Sequence, residues 1–163
     1  MAKPQRLPSV RPLQTFFVTS STWQKRALFQ ADKLAQLFLQ TLFWYRDQNK
    51  FGVHAFVVMP DHFHLLITPA VGNTLERGLQ YIKGGFSHRA KIAARFSGEI
   101  WQRGFTDRRV RNRNEFLQFV DYIHENPVEG NLVVKAQDYP YSDLNPVFKL
   151  DVPPPLPQRL KPK

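Results

Sequence analysis

The sequence has no cysteine and no long apolar run. Without cysteine in its 163 residues, the chain can form neither disulfide bonds nor zinc sites built on thiolates, and a reducing compartment fits it. No stretch approaches the roughly 18 apolar residues of a membrane-spanning helix. The first residues also lack the apolar segment of a secretory signal. We therefore expect a cytoplasmic protein with no membrane partner.

Acidic residues are few relative to basic ones. Twenty-three Lys and Arg against thirteen Asp and Glu give a formal net charge of +10, which favours a polyanionic partner, nucleic acid first. Much of the positive charge lies between residues 83 and 113. The candidate nucleic-acid-binding residues are Lys83, Arg89, Arg103, Arg108, Arg109, Arg111 and Arg113. A solvated basic surface without a ligand is the alternative.

One domain with a hydrophobic core is expected, because 42% of the residues are hydrophobic. Residues 1–13 are basic and interrupted by proline, which predicts a flexible N-terminus. Residues 14–148 form the predicted domain. Residues 149–163 are rich in proline and lysine, which predicts a disordered tail.

The predicted elements follow the order β-α-β-β-α-β, with one further helix. Hydrophobic periodicity and turn residues place the strands and first two helices, in chain order, at 15–19, 25–47, 53–59, 62–68, 74–96 and 101–110. The added helix should end near Asn126, because a residue that precedes proline is disfavoured in the α region. This order is typical of a ferredoxin-like (RRM-like) α+β fold, an antiparallel sheet with helices on one face, here with an added C-terminal helix that bears a tyrosine.

Two histidines interrupt the apolar segment 55–67. In an extended strand alternate side chains share a face, so His62 and His64 point the same way, about 7 Å apart at Cα, while Phe63 faces the core. Two imidazoles at this spacing can hold one metal ion through a nitrogen each. Asp61 is expected to serve the preceding turn, with orientation of an imidazole as the alternative. A half-buried strand with two outward polar residues would explain the same pattern.

The added helix carries a tyrosine outside its apolar stripe. Tyr122 lies more than about 100° from the centre of that stripe, and Asn126 follows one turn later on nearly the same side. This arrangement sets a phenol beside an amide that could bind a metal. His124 points elsewhere on the helix and is expected at the surface or against nucleic acid. An ordinary surface tyrosine is the alternative.

Three segments, residues 58–66, 101–105 and 122–133, together resemble the REP-associated tyrosine transposases. This family is the domesticated branch of the single-tyrosine insertion-sequence transposases that carry a His-hydrophobic-His motif (HUH). The resemblance implies that His62 and His64 bind a metal, that Asn126 supplies the third ligand as an amide, and that Tyr122 is the nucleophile. It also implies an endonuclease and ligase that cuts and rejoins single-stranded DNA next to hairpin-forming repeats.

The implied chemistry agrees with the residue types. A phenol is a poor nucleophile at neutral pH, and positive charge from a metal and from arginines would favour its phenolate. The metal would polarise the scissile phosphate, and attack would give a 5′-phosphotyrosine and a free 3′-hydroxyl. Nitrogen and oxygen ligands together suit Mg²⁺ or Mn²⁺ as the divalent metal.

Two other functions stay open from the sequence. A catalytically silent protein that binds nucleic-acid hairpins would be unaffected by Tyr122→Phe. A metal-dependent phosphodiesterase that uses activated water would still cleave after that substitution and would form no covalent adduct. We favour the transposase-like enzyme because both motifs occur in the expected context, and we favour a monomer over a homodimer because no dimer-forming apolar stripe is evident.

Overall fold

A four-stranded antiparallel sheet organises residues 13–157, the part of the chain that the computed structural model describes. The strands are β1 (Phe16–Ser21), β2 (Phe51–Met59), β3 (His62–Pro69) and β4 (Thr106–Arg109), in the sheet order β2-β3-β1-β4. The helices are α1 (Asp32–Asp47), α2 (Leu75–Ala93) and α3 (Arg113–Glu129). The predicted ferredoxin-like α+β fold is confirmed. Within residues 13–157, no helix has both the length and the apolar character needed to cross a bilayer.

The main core lies between the sheet and the pair α1 and α2. Alternation along β3 directs Phe63, Leu65 and Ile67 to this side, where all three are fully buried. Phe38 of α1 and Phe86 of α2 belong to the same core, and Phe38 packs directly on Phe63. These aromatic side chains bury large apolar areas, which makes this layer the main source of hydrophobic stabilisation.

Helix α3 covers the opposite face of the sheet. Its Ile123 is fully buried in a second apolar cluster that includes Ala55, Val57 and Leu66 of the sheet. Leu66 lies two residues after His64 on β3, so the face that α3 covers is also the face on which His64 lies. The fold thereby places α3, which carries Tyr122, against the face of β3 that carries His64.

Three elements are shorter than predicted. Helix α2 ends at Ala93 rather than at residue 96, and Arg95 beyond it has a positive φ angle. Helix α1 begins at Asp32 rather than at residue 25, because Gln24 and Lys25 have positive φ angles and the chain forms two separate 3-10 turns before α1. Strand β4 comprises only Thr106–Arg109 of the predicted 101–110, since Trp101 makes an isolated bridge to Thr22 instead.

Helix α3 continues through Pro127, so the predicted end near Asn126 is wrong. A proline costs one helical hydrogen bond and introduces a clash with the preceding turn. Here it stands in the last turn, and its side chain is buried. The backbone N–H groups of Gly130 and Leu132 then donate to the carbonyls of Asn126 and Pro127, both at 2.9 Å, which terminates the helix.

The C-terminal segment 149–157 packs on the domain, which differs from the disordered tail that its composition predicts. The carboxylate of Asp151 accepts from Val53 N at 2.8 Å, and its own N–H donates to Val53 O at 2.8 Å. Pro157 O accepts from Arg113 N at 3.2 Å. Prolines prevent a regular strand but allow these single contacts, of which those of Asp151 cover the outer edge of β2 and that of Pro157 reaches the start of α3. Residues 1–12 and 158–163 lie outside the described residues, and with them nearly all of the predicted flexible N-terminus and the end of the tail.

Candidate active site

The histidine pair lies at the start of β3, on the face that α3 covers. The ring centroids of His62 and His64 are 4.8 Å apart. His64 is buried and His62 is half-buried, so one edge of the pair is open to solvent. The structure thus places both imidazoles together, as the alternation of strand side chains predicts.

Each imidazole has a hydrogen-bond partner at its Nδ1. His62 Nδ1 lies 2.6 Å from Asp61 Oδ1, a carboxylate that can only accept, so Nδ1 donates. His64 Nδ1 lies 2.7 Å from Oγ1 of Thr19, the residue directly opposite it on β1. A proton on Nδ1 of each ring leaves both Nε2 atoms with a free electron pair, the form in which an imidazole binds a metal.

Two buried polar side-chain atoms in residues 13–157 have no hydrogen-bond partner, and both belong to this site. They are Nε2 of His64 and Oδ1 of Asn126. Leaving a buried acceptor unpaired costs about 1–3 kcal/mol, so such atoms are rare in folded proteins. Asn126 lies on α3 one helical turn after Tyr122, whose ring contacts His64. The donor set of two imidazoles and one amide oxygen therefore fits a divalent cation.

The site does not contain a conventional cluster of metal ligands. No group of three His, Cys, Asp or Glu side chains in the described part of the chain is placed to hold a metal. The candidate for a third protein ligand is the amide of Asn126, whose Oδ1 is buried without a hydrogen-bond partner. Burial, followed by the nearby His62, lowers the pKa of His64 to about 3. His64 is consequently neutral at physiological pH, and its Nε2 is free to bind a metal.

Helix α3 holds Tyr122 against the histidine pair. The ring of Tyr122 meets His64 at 5.3 Å between centroids and Phe17 at 5.8 Å, in both cases edge to face. Its neighbour Ile123 is fully buried against the sheet, so Tyr122 projects from the flank of α3. The tyrosine is 48% exposed, and a nucleic-acid strand in solvent can approach it. None of the other four tyrosines has its ring against His62 or His64.

A stack of side chains extends from the histidines to the edge strand β4. Phe17 stacks on His64 at 5.3 Å and on Phe119 at 4.5 Å, and the guanidinium of Arg108 lies 5.7 Å from the Phe119 ring. Arg108, Arg109 and Arg111 line one cleft of about 510 Å³, together with Glu115 and Phe119. We name this group of three arginines the arginine cleft. It places positive charge on the exposed edge of the sheet next to the candidate site.

The other basic candidates lie apart from this cleft. The ammonium of Lys83 donates to two carbonyls of the 102–104 loop at 3.2 and 2.7 Å, and burial lowers its pKa. Arg89 lies over the ring of Trp44 at 4.9 Å, on the α1 and α2 side of the sheet. Lys83 and Arg89 therefore make structural contacts inside the domain. Two further candidates are exposed, Arg103 in the loop before β4 and Arg113 at the start of α3.

Several residues of the site do not stand out in the sequence. Thr19 and Phe17 contact His64 only because β1 pairs with β3 in one register, which a single sequence does not specify. Asp61 orients His62, the alternative to the turn role expected for it. His124, expected at the surface or against nucleic acid, instead lies 2.7 Å from the carboxylate of Asp143. The proximity of Asp61 to His62 in sequence was the one available signal.

Comparisons with known proteins identify the family and the fold. Residues 13–126 match the model of the family described as "Transposase IS200 like". A REP-associated tyrosine transposase of Escherichia coli (strain K12) is 27% identical over 129 residues, which are 78% of this chain and 74% of that protein. A putative REP-associated tyrosine transposase of Haemophilus influenzae is 30% identical over 117 residues, 65% of this chain and 66% of that protein.

Two solved structures share the fold. A REP-associated tyrosine transposase bound to a REP hairpin superposes with a TM-score of 0.70 at 26% identity, over 87% of this chain and 82% of that chain. A putative transposase from Deinococcus radiodurans superposes with a TM-score of 0.55 at 20% identity, over 75% of this chain and 96% of that chain. The second likeness concerns the fold alone.

Proposed function

Because the chain belongs to the IS200-like transposase family, we propose that it cuts and rejoins single-stranded DNA next to hairpin-forming repeats, through a covalent phosphotyrosine. One observation carries the proposal. The ring of Tyr122 rests against His64, whose buried Nε2 has no hydrogen-bond partner, and Asn126, one helical turn after Tyr122, has a buried Oδ1 that also has none. A nucleophile close to unpaired cation ligands is suited to metal-assisted phosphoryl transfer.

His62, His64 and Asn126 would hold a divalent metal, Mg²⁺ or Mn²⁺. When bound, the ion supplies positive charge that stabilises the oxygens of the scissile phosphate. Two imidazole ligands favour Mn²⁺ over Mg²⁺, because Mg²⁺ prefers oxygen ligands. Asp61 and Thr19 support this assignment, since their contacts with Nδ1 leave Nε2 of each ring as the nitrogen available to a metal.

Tyr122 would act as the nucleophile. Its phenolic oxygen forms a bond to phosphorus while the bond from phosphorus to the 3′-oxygen breaks, and the 3′-oxygen takes a proton from water and leaves as a hydroxyl. The phenolic proton passes to water, which reaches the half-exposed ring. The product is a 5′-phosphotyrosine. Because one phosphodiester replaces another, the 3′-hydroxyl can reverse the step and rejoin the strand without a nucleotide energy source.

The arginine cleft would bind the unpaired strand beside the hairpin. Its three guanidinium groups can contact phosphates, which supplies affinity without sequence information. The stack formed by Phe17 and Phe119 joins the cleft to His64, so a strand lying in the cleft leads to the nucleophile. The solved relative bound to a REP hairpin supports a hairpin as the paired part of the substrate.

A single chain contains all the proposed catalytic groups. Tyr122 contacts His64 of its own chain, so no second copy is needed to complete the site. This supports a monomer as the active form. A homodimer that exchanges α3 would instead separate Tyr122 from the His64 of the same chain.

The test uses end-labelled single-stranded hairpins from repeats that flank the gene, incubated with protein and Mn²⁺ or Mg²⁺ and resolved on a denaturing gel. We expect a metal-dependent covalent band that Tyr122→Phe and His64→Ala both abolish. Cleavage without this band would indicate the hydrolytic phosphodiesterase. Tight binding with neither product would indicate the silent hairpin-binding protein.

A further inference from the structure

His124 and Asp143 form a pair that no step of the proposed chemistry uses. His124 Nε2 lies 2.7 Å from Asp143 Oδ1, and the side chain of Asp143 is only 4% exposed. The second carboxylate oxygen of Asp143 accepts from Phe56 N at 2.8 Å, and Asp143 N donates to Phe56 O at 3.2 Å. The buried carboxylate therefore joins α3 to the backbone of β2.

The geometry of α3 relates this pair to the active site. Successive residues of a helix are about 100° apart, so Tyr122 and His124 project from opposite flanks when Ile123 faces the sheet. Asn126 lies about 60° from Ile123, on the flank of Tyr122. A roll of α3 about its axis therefore moves Tyr122 and Asn126 relative to His64 and changes the distance from His124 to Asp143 at the same time.

Apolar packing alone fixes this roll weakly. Of the α3 side chains that face the sheet, Ile123 and Pro127 are buried, while Phe116, Phe119 and Val120 are only partly buried. Hydrophobic contacts are non-directional, and side chains of this kind tolerate some rotation of the helix. A hydrogen bond to a carboxylate is directional and short, so it selects one rotation.

We infer that His124 and Asp143 are positioning residues that set the roll of α3 and so hold Tyr122 and Asn126 against the histidine pair. The effect on the rate of adduct formation rests on the proposed function, whereas the effect on the rotation of α3 does not. A misplacement of reacting groups by about 1 Å can cost about 100-fold in rate. The hairpin would bind unchanged, because neither residue lies in the arginine cleft.

The decisive comparison is His124→Gln against His124→Asn. The amide nitrogen of Gln reaches about as far as an imidazole Nε2 and keeps the bond to Asp143, whereas that of Asn is too short. Glu125→Gln, an exposed neighbour on the same helix, is the matched control. Asp143→Ser provides a second route: its hydroxyl ends one bond short of both carboxylate oxygens, so the contact with His124 is lost together with that to Phe56 N, whereas His124→Asn spares the latter.

Two readouts are needed for each variant. The first is the single-turnover rate of covalent adduct formation, measured together with the Kd for the hairpin. We expect His124→Asn and Asp143→Ser to lower this rate about 10- to 100-fold and to change the Kd less than about twofold. The second is the NOE between the rings of Tyr122 and Phe17, whose centroids are 5.8 Å apart. We expect it to weaken in those two variants and to persist in His124→Gln and Glu125→Gln.

The outcomes separate the two claims. If the wild-type protein forms no adduct, the proposed function fails, and the NOE comparison still decides whether the pair sets the roll of α3. An unchanged NOE in His124→Asn and Asp143→Ser would overturn the inference. So would a His124→Gln variant as impaired as His124→Asn, because the hydrogen bond would then not be the relevant contact.

Discussion

At the scale of single residues, the proposed metal site depends on two side chains that are not themselves proposed ligands. Asp61 and Thr19 lie within hydrogen-bond distance of the Nδ1 atoms of His62 and His64, and this leaves each Nε2 as the nitrogen available to a metal. Partners of this kind fix both the tautomer and the orientation of a metal-binding imidazole. Under the proposed function, neighbours on the turn and on β1 therefore set the metal affinity of the histidine pair.

Thr19→Val tests this dependence with a side chain of nearly the same shape. It removes the hydroxyl that contacts His64 Nδ1, and we expect Mn²⁺ to bind about 10-fold more weakly by titration calorimetry. Thr41→Val, which removes a hydroxyl on α1 that donates to Leu37 O, is the control and should leave Mn²⁺ affinity unchanged. Equal affinity in Thr19→Val and wild type would show that Thr19 does not orient His64.

The buried His64 predicts a loss of stability in acid. Its pKa is lowered to about 3 in the folded protein, chiefly by burial, and rises to the ordinary value near 6.5 on unfolding. Below pH 6.5 the unfolded chain therefore takes up a proton that the folded chain does not, and stability falls as pH falls from about 6.5 towards 3. The expected loss at pH 5 is about 2 kcal/mol for the metal-free protein.

Urea unfolding at pH 7.5 and pH 5, with a chelator present, measures this loss. His64→Gln should lose less stability between the two pH values than the wild type does. Burial also lowers the pKa of His54, so some loss will remain in the variant. If the variant and the wild type lose the same amount, His64 does not carry the effect.

At the scale of elements, the crossing of α1 and α2 depends on one glycine of an adjacent pair. A Cβ on Gly85 would lie 2.6 Å from Cε2 of Tyr45, whose ring is stacked on Tyr81, whereas a Cβ on Gly84 would meet nothing within 4 Å. Gly84→Ala should raise stability by about 0.5–1 kcal/mol through helix propensity, and Gly85→Ala should lower it by about 1–2 kcal/mol through overcrowding. Thermal or urea unfolding of both variants checks the prediction, and equal effects would contradict it.

Patterns along the chain were sufficient to predict elements and faces, while their boundaries and pairings depended on tertiary contacts. Alternation along β3 correctly separated Phe63 from the histidines, because the side-chain period of a strand is fixed by its backbone. The pairing of Thr19 with His64 was not predictable, since register depends on which strands meet. The continuation of α3 through Pro127 likewise depends on its burial against the sheet. Contact of Tyr122 with His64 follows from the packing of α3, which periodicity alone does not specify.

At the scale of the whole molecule, the basic residues differ in their position relative to the candidate site. The arginine cleft lies beside the site, whereas Arg89 packs over Trp44 on the far side of the sheet. A protein that neutralises phosphates releases counterions, so its affinity falls with salt in proportion to the number of phosphate contacts. The salt dependence of binding therefore reports which basic residues contact DNA.

Arg108→Gln should weaken the binding of single-stranded hairpin DNA. The loss of affinity should be similar for hairpins with different flanking sequences. The slope of log K against log salt should decrease by about 1, the value for one lost phosphate contact. Lys91→Gln, an exposed charge on α2, removes the same net charge away from the cleft. Fluorescence anisotropy over a salt series distinguishes the two variants, and an equal decrease in slope would contradict a binding role specific to the cleft.

The central claim is that Tyr122 becomes joined to DNA, and tryptic mapping of the covalent product tests it most directly. Cleavage after Arg113 and Lys135 releases the peptide 114–135, whose one tyrosine is Tyr122. After reaction with a hairpin substrate and Mn²⁺ and digestion of the DNA, we predict this peptide with a nucleotide attached through phosphate to Tyr122. A nucleotide on any other peptide, or cleaved DNA with peptide 114–135 unmodified, would contradict the account.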